Sequence, residues 1–355
     1  MKQAMINRNL SKLLILSISI LLAPYALAEG KGVAYVSNQN GGVEIIDLET
    51  MEFTGSMETG AKGPRGIGIT SNGKWLVTAN KDDSNISVVD TSGATPPKLV
   101  VVGKNPEFVR IKGDRAFITY EPSSKSGPPK AGPEAAKEDD DDDKIPGHIA
   151  IVDLKKGKVV MDIVGKPETE GLEFTKDGKK MVVANESDNS LTVHDLKTGK
   201  LLKTIPVSAY GNRPRGIKVS PDGKTYAATL EISNKLLILN DKFEVIKEIP
   251  TGMFPYGLSF DRAGDRIFVA VNKAKLLQVF DAKTFEKIKD IPTGDRCWHF
   301  SFTPDDQQLL LACGKSNEIL VIDTTKLEVT KRIADQDMPW GIVTYPKSMG
   351  SIDNP

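Results

Sequence analysis

Residues 214–252 read PRGIKVSPDGKTYAATLEISNKLLILNDKFEVIKEIPTG, and this stretch decides the fold. It contains four short runs of β-strand character, at 217–219, 226–229, 236–239 and 244–249. Between the first two lies the turn Ser220-Pro221-Asp222-Gly223. In it proline presets φ, aspartate bonds the backbone and glycine accepts a positive φ. Four such strands form one small antiparallel sheet that cannot bury both faces alone, so the sheet needs copies of itself.

Two anchors identify the copies along the chain. The third strand of each copy ends at Asp47, Asp90, Asp153, Asp195, Asn240, Asp281 and Asp323. The first strand opens at a motif that is usually Pro-x-Gly, as in Pro64-Arg65-Gly66, and this anchor also occurs seven times. The spacing gives a period of about 42 residues with one insertion of about 20, which is typical of β-propeller blades. The sequence therefore predicts an all-β fold, a seven-bladed β-propeller of four-stranded antiparallel blades.

The phase of the repeat predicts how the ring closes. After a leader, the chain opens in mid-repeat with a second strand at 33–37 and finishes on a lone first strand at 340–345. We expect the C-terminal strand to complete the N-terminal blade, which leaves no free blade edge. Residues 29–355 are thus predicted to form one propeller domain. An apolar content of 39% with 26% charged residues suits a soluble globular protein.

Residues 1–28 have the pattern of a signal peptide. Three cations precede the apolar run 13–22, and Ala26-Leu27-Ala28 has the small-x-small form of a cleavage site. A membrane anchor is the weaker alternative, because this run is too short to span a bilayer. We expect a periplasmic or secreted protein with no membrane span after cleavage. Removal of the leader leaves 44 basic and 47 acidic residues, which does not favour nucleic-acid binding.

Residues 121–147 interrupt the third repeat with EPSSKSGPPKAGPEAAKEDDDDDKIPG. Proline, glycine, serine and charge leave almost nothing to bury, so we predict a disordered or loosely tethered acidic loop. Its six consecutive acids at 138–143 lack the alternating ligands and central glycine of an EF-hand. Binding of Ca²⁺ or of a basic partner at this run remains an alternative to a solvated loop.

No complete catalytic constellation is present, and the sequence leans towards a protein that is not an enzyme. Motifs for covalent haem, nucleotide binding or an acyl-transfer serine are absent, so no cofactor and no metal are predicted. Among three histidines, only His299 lies where a blade enters the ring. The two cysteines, Cys297 and Cys313, flank one hairpin and fall almost opposite each other. A disulfide in an oxidising compartment and two buried thiols both remain open.

One mouth of the central channel is the candidate site. The first strands of all blades surround the channel, so the residues before each glycine position should crowd one end. In circular order they are Trp340, Arg65, Glu107, Glu170, Arg215, Tyr256 and Trp298, with His299 next to the last. We expect an aromatic arc flanked by arginines and an acidic arc opposite, under the loop residues Asn38, Asn80, Asn185, Asn272 and Lys315. This is a candidate ligand site, and the alternative is a ring of internal salt bridges and packing.

The blades resemble a known repeat. Tyr35-Val36-Ser37-Asn38 and Ser220-Pro221-Asp222-Gly223 resemble the YVTN-type, WD40-like seven-bladed propeller repeat. The stretches 296–305 (RCWHFSFTPD) and 338–341 (MPWG) look like the propeller proteins associated with PQQ-dependent alcohol catabolism. That resemblance implies an exported protein that accompanies periplasmic quinoprotein and transport systems without being an enzyme. Cys297 and the Asp-rich loop depart from the pattern of that branch.

The sequence therefore predicts an exported, non-catalytic propeller that acts as a binding or scaffold module. The partner expected at the channel mouth is a periplasmic protein or a small anionic or aromatic ligand. Two alternatives remain: an enzyme of the propeller-lactonase kind, and a haem-binding propeller like that of periplasmic nitrite reductases, with His299 as the haem ligand.

Overall fold

A computed structural model describes residues 31–122 and 145–355, and in it the predicted fold is confirmed. Seven four-stranded antiparallel sheets are arranged as blades. From the innermost strand outward, blade one is β28 (Pro339–Tyr345), β1 (Val33–Asn38), β2 (Val43–Asp47) and β3 (Glu52–Met57). Blade two is β4 (Pro64–Ile69), β5 (Trp75–Asn80), β6 (Asn85–Asp90) and β7 (Lys98–Val101). Blade three is β8 (Pro106–Lys112), β9 (Arg115–Tyr120), β10 (Pro146–Asp153) and β11 (Lys158–Pro167).

The remaining blades follow the repeat without interruption. Blade four is β12 (Thr169–Phe174), β13 (Lys180–Asn185), β14 (Ser190–Asp195) and β15 (Leu201–Pro206). Blade five is β16 (Pro214–Val219), β17 (Thr225–Leu230), β18 (Lys235–Asn240) and β19 (Val245–Pro250). Blade six is β20 (Pro255–Phe260), β21 (Arg266–Val271), β22 (Leu276–Asp281) and β23 (Lys287–Pro292). Blade seven is β24 (Cys297–Phe302), β25 (Gln308–Cys313), β26 (Glu318–Asp323) and β27 (Glu328–Ile333), and short 3₁₀ turns occur at Lys81–Asp83 and Gly314–Ser316.

The ring closes as the split repeat predicts. Strand β28 pairs antiparallel with β1, from Val33 opposite Tyr345 to Ser37 opposite Gly341. The innermost strands contact one another in the order β28, β4, β8, β12, β16, β20, β24 and back to β28. Because the last strand is hydrogen-bonded to the first, both ends of the domain are held in one blade and no inner edge is left open.

Burial follows the position of a strand within its blade. Second and third strands such as β13 and β18 are buried over nearly their whole length, whereas the outer strand β15 is exposed except at Ile205. Neighbouring blades pack face to face, so the inner strands bury both faces and read as continuous apolar runs. The outer strands reach solvent and carry the alternating or polar pattern.

The repeated turn and opening motifs have local causes. In the turn after β16, Asp222 Oδ1 accepts the backbone N–H of Lys224 (3.0 Å), and Gly223 has φ of 81°. At the opening motif the ladder between β4 and β5 skips from Pro64 to Ile67, so Arg65 and Gly66 form a bulge that turns towards the channel. A Cβ on Gly66 would lie 2.5 Å from the carbonyl oxygen of Glu107 in the next blade. The glycine therefore permits the close approach of adjacent blades.

The predicted boundaries of the insertion need correction. Glu121 is only 3% exposed at the channel mouth, and β10 already begins at Pro146, which pairs with Pro167. The extended β11 pairs with Pro146, and the backbone N–H of Glu121 donates to the carbonyl of Lys104 (3.1 Å), so both ends of the predicted loop belong to the blade. The acidic run 138–143 and the predicted signal peptide lie outside the described residues. Within residues 31–122 and 145–355, none of the helical segments has the length and apolar character needed to cross a bilayer.

Candidate functional site

The structure brings the residues that open the first strands to one end of the channel, which we call the entry end. Arg65 forms an ion pair with Glu107 and lies 5.0 Å from the ring centre of Trp340. Arg215 lies 3.1 Å from Glu170 and 4.1 Å from the ring centre of Tyr256. These contacts link neighbouring blades, because Arg65 and Arg215 are each held between the two opening residues that flank them. Sequence spacing alone indicates this circular order correctly.

The aromatic half of the entry end is packed rather than open. Trp298, Trp340 and Tyr256 are each less than 5% exposed, and His299 lies between them. Its ring centre is 4.3 Å from that of Trp340, 5.3 Å from that of Tyr256 and 6.1 Å from that of Phe108. In this half the structure therefore favours the packing alternative over an exposed aromatic arc. A large side chain pointing into a narrow channel is buried by its counterparts from the other blades.

His299 is held as a neutral ring. Burial, together with Arg215 and Arg65 nearby, lowers its pKa well below the usual value. Its Nδ1 is 3.0 Å from the hydroxyl of Ser351, and its Nε2 has no hydrogen-bond partner in the described part of the chain. Aromatic rings surround it on three sides, an arrangement that leaves little room for a haem plane at Nε2. Haem binding stays a prediction that an absorption spectrum of the purified protein would decide.

The charged half contains residues that sequence reasoning missed. Glu121, Glu186 and Glu231 each follow the second strand of their blade and are at most 3% exposed. This repeat position carries glutamate in blades three, four and five, which is the signal that could have identified them. The sequence predicts Asn185 as the loop residue of blade four, whereas Glu186 is the next position along the chain. Asn38, Asn80, Asn185 and Asn272 do reach this end, where they are at most 2% exposed.

Arginines and glutamates from these blades form one network, the glutamate–arginine cluster. Arg213 lies 3.0 Å from Glu168 and forms an ion pair with Glu186. Arg215 Nη1 lies 3.7 Å from Glu231. We define the cluster as Arg65, Arg213, Arg215, Glu107, Glu121, Glu168, Glu170, Glu186 and Glu231. Each of the three arginines is paired with at least one carboxylate, while its Nε donates no hydrogen bond within the described residues.

The cluster has more acid than base. Six carboxylates face three guanidinium groups, and Oε1 of Glu121 and Oε2 of Glu231 have no hydrogen-bond partner among the described residues. Burial, with Arg215 opposing it and Glu107 adding to it, raises the pKa of Glu170 to about 7. Burial and the neighbouring glutamates also raise the pKa of Glu121 well above its usual value. Like charges held at low dielectric favour the protonated form, which is why the pKa values of Glu121 and Glu170 are raised.

A second charged ring lies deeper in the channel. Three residues beyond Glu107, Glu170 and Arg215, the same strands carry Arg110, Glu173 and Lys218. Glu173 lies 2.5 Å from Arg110 and 2.9 Å from Lys218, and all three are at most 3% exposed. Burial, with Arg110 nearby, lowers the pKa of Lys218 to about 7. The sequence shows charged residues three positions apart on each of these inner strands. Both residues face the channel only because the bulge at the start of the strand turns them to the same side.

Cys297 and Cys313 are register partners in the hairpin of β24 and β25, with their Cα atoms 3.7 Å apart. The structure joins them as a disulfide, and both residues are fully buried. Each follows the placement inferred from the hairpin: one opens the first strand and the other closes the second. As for metals, no group of three or more His, Cys, Asp or Glu side chains suited to an ion occurs within 31–122 and 145–355.

Comparisons with known proteins agree with the fold. A family model described as "Lactonase, 7-bladed beta-propeller" matches residues 154–244. "Uncharacterized protein YncE" of Salmonella typhimurium is 24% identical over 187 residues, which cover 51% of this chain and 45% of that protein. This chain therefore spans about half the length of the curated relatives it matches.

Solved structures extend the likeness to the whole ring. A Bacteroides uniformis protein named a "putative 6-phosphogluconolactonase" has a TM-score of 0.72 at 16% identity, over 88% of this chain and 99% of that one. Kuenenia stuttgartiensis hydrazine synthase has a TM-score of 0.68 at 19% identity, over 82% and 92%. At these identities the likeness establishes the fold alone. The chain is a seven-bladed β-propeller, and one charged and one aromatic half meet at its entry end.

Proposed function

We propose that the protein is an exported, non-catalytic binding propeller whose glutamate–arginine cluster recognises an organic cation. The observation that carries this proposal is the surplus of buried carboxylates, six against three guanidinium groups. The cation is an amine or guanidinium group, either free or on a basic segment of a partner. An accessory role beside a periplasmic quinoprotein or transport system is consistent with this activity and is part of the proposal.

The charge balance favours a cation over the anionic ligand expected from the sequence. An anion would have to displace Glu170 from Arg215, leaving a buried carboxylate without its ion-pair partner at a cost of several kcal/mol. A cation instead supplies a hydrogen-bond donor to Oε1 of Glu121 and Oε2 of Glu231, which accept none among the described residues. It would also release the protons that burial holds on the cluster. Recognition of an anionic or aromatic ligand here stays an untested prediction.

The experiment measures thermal stability and calorimetric binding with putrescine, arginine and choline, against acetate and glutarate as anionic probes. A ligand at 100 times its Kd stabilises the folded state by about 2.7 kcal/mol, which a melting curve resolves. We expect amines to bind, and to bind more tightly as the pH rises from about 5 to about 8, because the glutamates must lose their protons.

Matched variants locate the binding. Glu121→Gln should weaken amine binding about tenfold or more, since one of the charges facing the ligand is lost at nearly constant shape. Glu248→Gln is the control, because this exposed carboxylate on β19 pairs only with Lys235 (2.6 Å). Comparable loss in both variants, or stabilisation by the anions alone, would contradict the proposal.

Hydrolysis of a lactone is the second candidate, and one observation favours it. The pKa of Glu170, raised to about 7, suits a general base at neutral pH, and Arg215 lies 3.1 Å away to stabilise developing negative charge. The stretch matched by the lactonase family model includes both residues. Glu170 would take a proton from the water whose oxygen bonds to the lactone carbonyl carbon. It would return that proton to the ring oxygen as the bond between this carbon and the ring oxygen breaks, which releases a hydroxy acid.

A titration assay with a sugar δ-lactone tests this candidate. If hydrolysis occurs here, Glu170→Gln should remove turnover, whereas Glu248→Gln should retain it. Absence of turnover above the spontaneous rate in the wild-type protein would reject the enzyme and leave the binding proposal unaffected.

A further inference from the structure

A pocket lies at the other end of the channel, which we call the tail end. It has a volume of about 430 Å³ and is formed by the turns after the innermost strands of blades two to five, together with residues 347–355. The segment after β28 runs beneath the ring: the backbone N–H of Phe302 bonds to the carbonyl of Met349 (2.9 Å), and that of Ser351 bonds to Phe300 (2.9 Å). A volume of this size is in the range of sites for small organic ligands.

The side chains that line this pocket carry more base than acid. Arg110, Lys112, Lys176 and Lys347 line it, against Glu173 and Asp353. Lys112 and Lys176 are exposed and form the rim, where Nζ of Lys176 donates to the carbonyl of Pro221 (2.7 Å), whereas Arg110 is 3% exposed at the base. The tail end thus has the charge sign opposite to that of the glutamate–arginine cluster.

Arg110 is a buried donor with unused capacity. One Nη2–H donates to Glu173 (2.5 Å), but its Nε and Nη1 donate no hydrogen bond within the described residues. Nη1 lies 3.9 Å from Oδ1 of Asp353, too far for a hydrogen bond. Buried guanidinium donors are normally satisfied, because leaving them unpaired is costly. The geometry points to an acceptor that approaches more closely than Asp353 does.

An apolar surface lies beside these donors. The ring centre of Phe174 is 5.7 Å from the guanidinium carbon of Arg110 and 5.3 Å from Nζ of Lys112. Phe174 also lines the pocket. A ligand with an anionic head and a short carbon body would find a fork of donors for the head and an aromatic wall for the body.

We propose that this pocket binds a small organic anion that carries carboxylate or phosphate groups. Arg110 holds the anionic head through its unused donors, and Lys112 and Lys176 attract and screen it at the rim. Asp353 lies 3.9 Å from Nη1 of Arg110 and 2.9 Å from Lys347, so it competes with the ligand for the same cations. Binding then requires a shift of Asp353 away from Arg110. This site is independent of the glutamate–arginine cluster.

The test is calorimetry on the full chain at low ionic strength with three probes: inorganic phosphate, citrate and glucose 6-phosphate. We expect at least one to bind, and its affinity to fall as salt is raised to about 200 mM, because exposed lysines are screened. Binding of citrate but of neither phosphate probe would identify a carboxylate site. Binding of a phosphate probe but not of citrate would identify a phosphate site. No binding of any probe overturns the proposal.

Three variants locate the site without disturbing the buried pair. Lys112→Gln with Lys176→Gln should weaken binding about tenfold, while Lys179→Gln, in the same turn as Lys176 but outside the pocket lining, should change it less than about twofold. Asp353→Asn should strengthen binding about threefold or more, a gain that unfolding cannot produce. Equal effects of the double variant and Lys179→Gln, or weaker binding in Asp353→Asn, contradict the proposal.

Discussion

The two ends of the channel are built from the same three strands but have opposite charge. In β8, β12 and β16 the entry end carries Glu107, Glu170 and Arg215, while the tail end carries Arg110, Glu173 and Lys218 three residues later. Loop glutamates then add acid at the entry end, whereas turn lysines add base at the tail end. One repeat with two inward-facing positions per blade can therefore present two sites of opposite sign.

The aromatic half of the entry end forms an aromatic layer beside both charged rings, since Arg215, Arg65 and Lys218 all act on the pKa of His299. His299, Tyr256, Trp340 and Phe108 pack together in the channel, and Ser351 from the segment beneath the ring contacts His299. The layer is apolar and lowers the local dielectric, which strengthens charge interactions in both rings. We infer that each end titrates and binds separately, and the following experiments test that separation.

The largest effect is expected from deleting residues 338–355. This change removes β28 and the segment beneath it, so blade one loses its innermost strand and the aromatic layer loses Trp340. Since domains are stable by only about 5–15 kcal/mol, we expect no cooperative unfolding transition in urea. A control that lacks only Pro355, which is exposed, should melt like the wild type. A preserved transition after the larger deletion would mean that β28 does not close the ring.

Neutralising one glutamate at each end should give unequal losses of stability. Glu173→Gln leaves Arg110 and Lys218 buried without their carboxylate, at an expected cost of about 3–5 kcal/mol. Glu170→Gln should cost less than about 1 kcal/mol at pH 7, because Glu170 with its raised pKa is already half neutral there. Urea unfolding at pH 7 compares the two variants. Equal losses would show that the ends do not differ in their charge balance.

The pH dependence should have opposite signs at the two ends. The folded pKa of Glu170 is raised to about 7, so the stability it contributes is present below about pH 4.5 and is lost as the pH rises to about 7. The folded pKa of Lys218 is lowered to about 7, so the unfolded chain binds more protons between about pH 7 and about 10.5. Stability therefore rises across that range.

Urea unfolding across both pH ranges measures these slopes. Glu170→Gln should flatten only the acidic side of the profile, and Lys218→Met only the alkaline side. The wild-type protein supplies the reference slope for each. A change of the alkaline slope in Glu170→Gln, or of the acidic slope in Lys218→Met, would show that the two ends are coupled through the aromatic layer.

The smallest effect is expected from shortening the insertion beside the entry end. Replacing residues 123–144 with a short Gly-Ser link should change the free energy of unfolding by less than about 1 kcal/mol, since each doubling of loop length costs only about 0.6 kcal/mol. Glu121 and Pro146 are retained because they belong to blade three. A large loss of stability in urea unfolding would contradict the sequence-based expectation of a loosely tethered loop.

Sequence reasoning predicts the scaffold well because the scaffold depends on local patterns. The period of about 42 residues, the Pro-x-Gly openings and the aspartate-capped turns each act over a few neighbouring residues, as Asp222 does with Lys224. Ring closure also follows from the pattern. The N-terminal blade lacks its first strand, and the chain ends on a lone first strand that can complete this blade. The circular order of Arg65, Glu107, Glu170 and Arg215 is a consequence of the same period.

What the pattern could not predict is the state of those side chains. The sequence shows arginines beside aromatics, but only the packed ring decides that Arg215 is held by Glu170 and Glu186 and that Trp298 and Trp340 are buried. Likewise the second ring around Glu173 exists because bulges in the inner strands direct residues three apart into one channel.

The linear chain thus determined the repeat, the number of blades, their closure and the circular order of the residues that open the first strands. The tertiary structure decided which charges meet, which carboxylates remain in excess and that residues 346–355 lie beneath the ring against blades four, five and seven. The physical reason is the separation along the chain of the residues that interact. Turns and strands follow from neighbours in the sequence, whereas pKa values, ion pairs and pockets depend on groups brought together from blades that lie far apart in the chain.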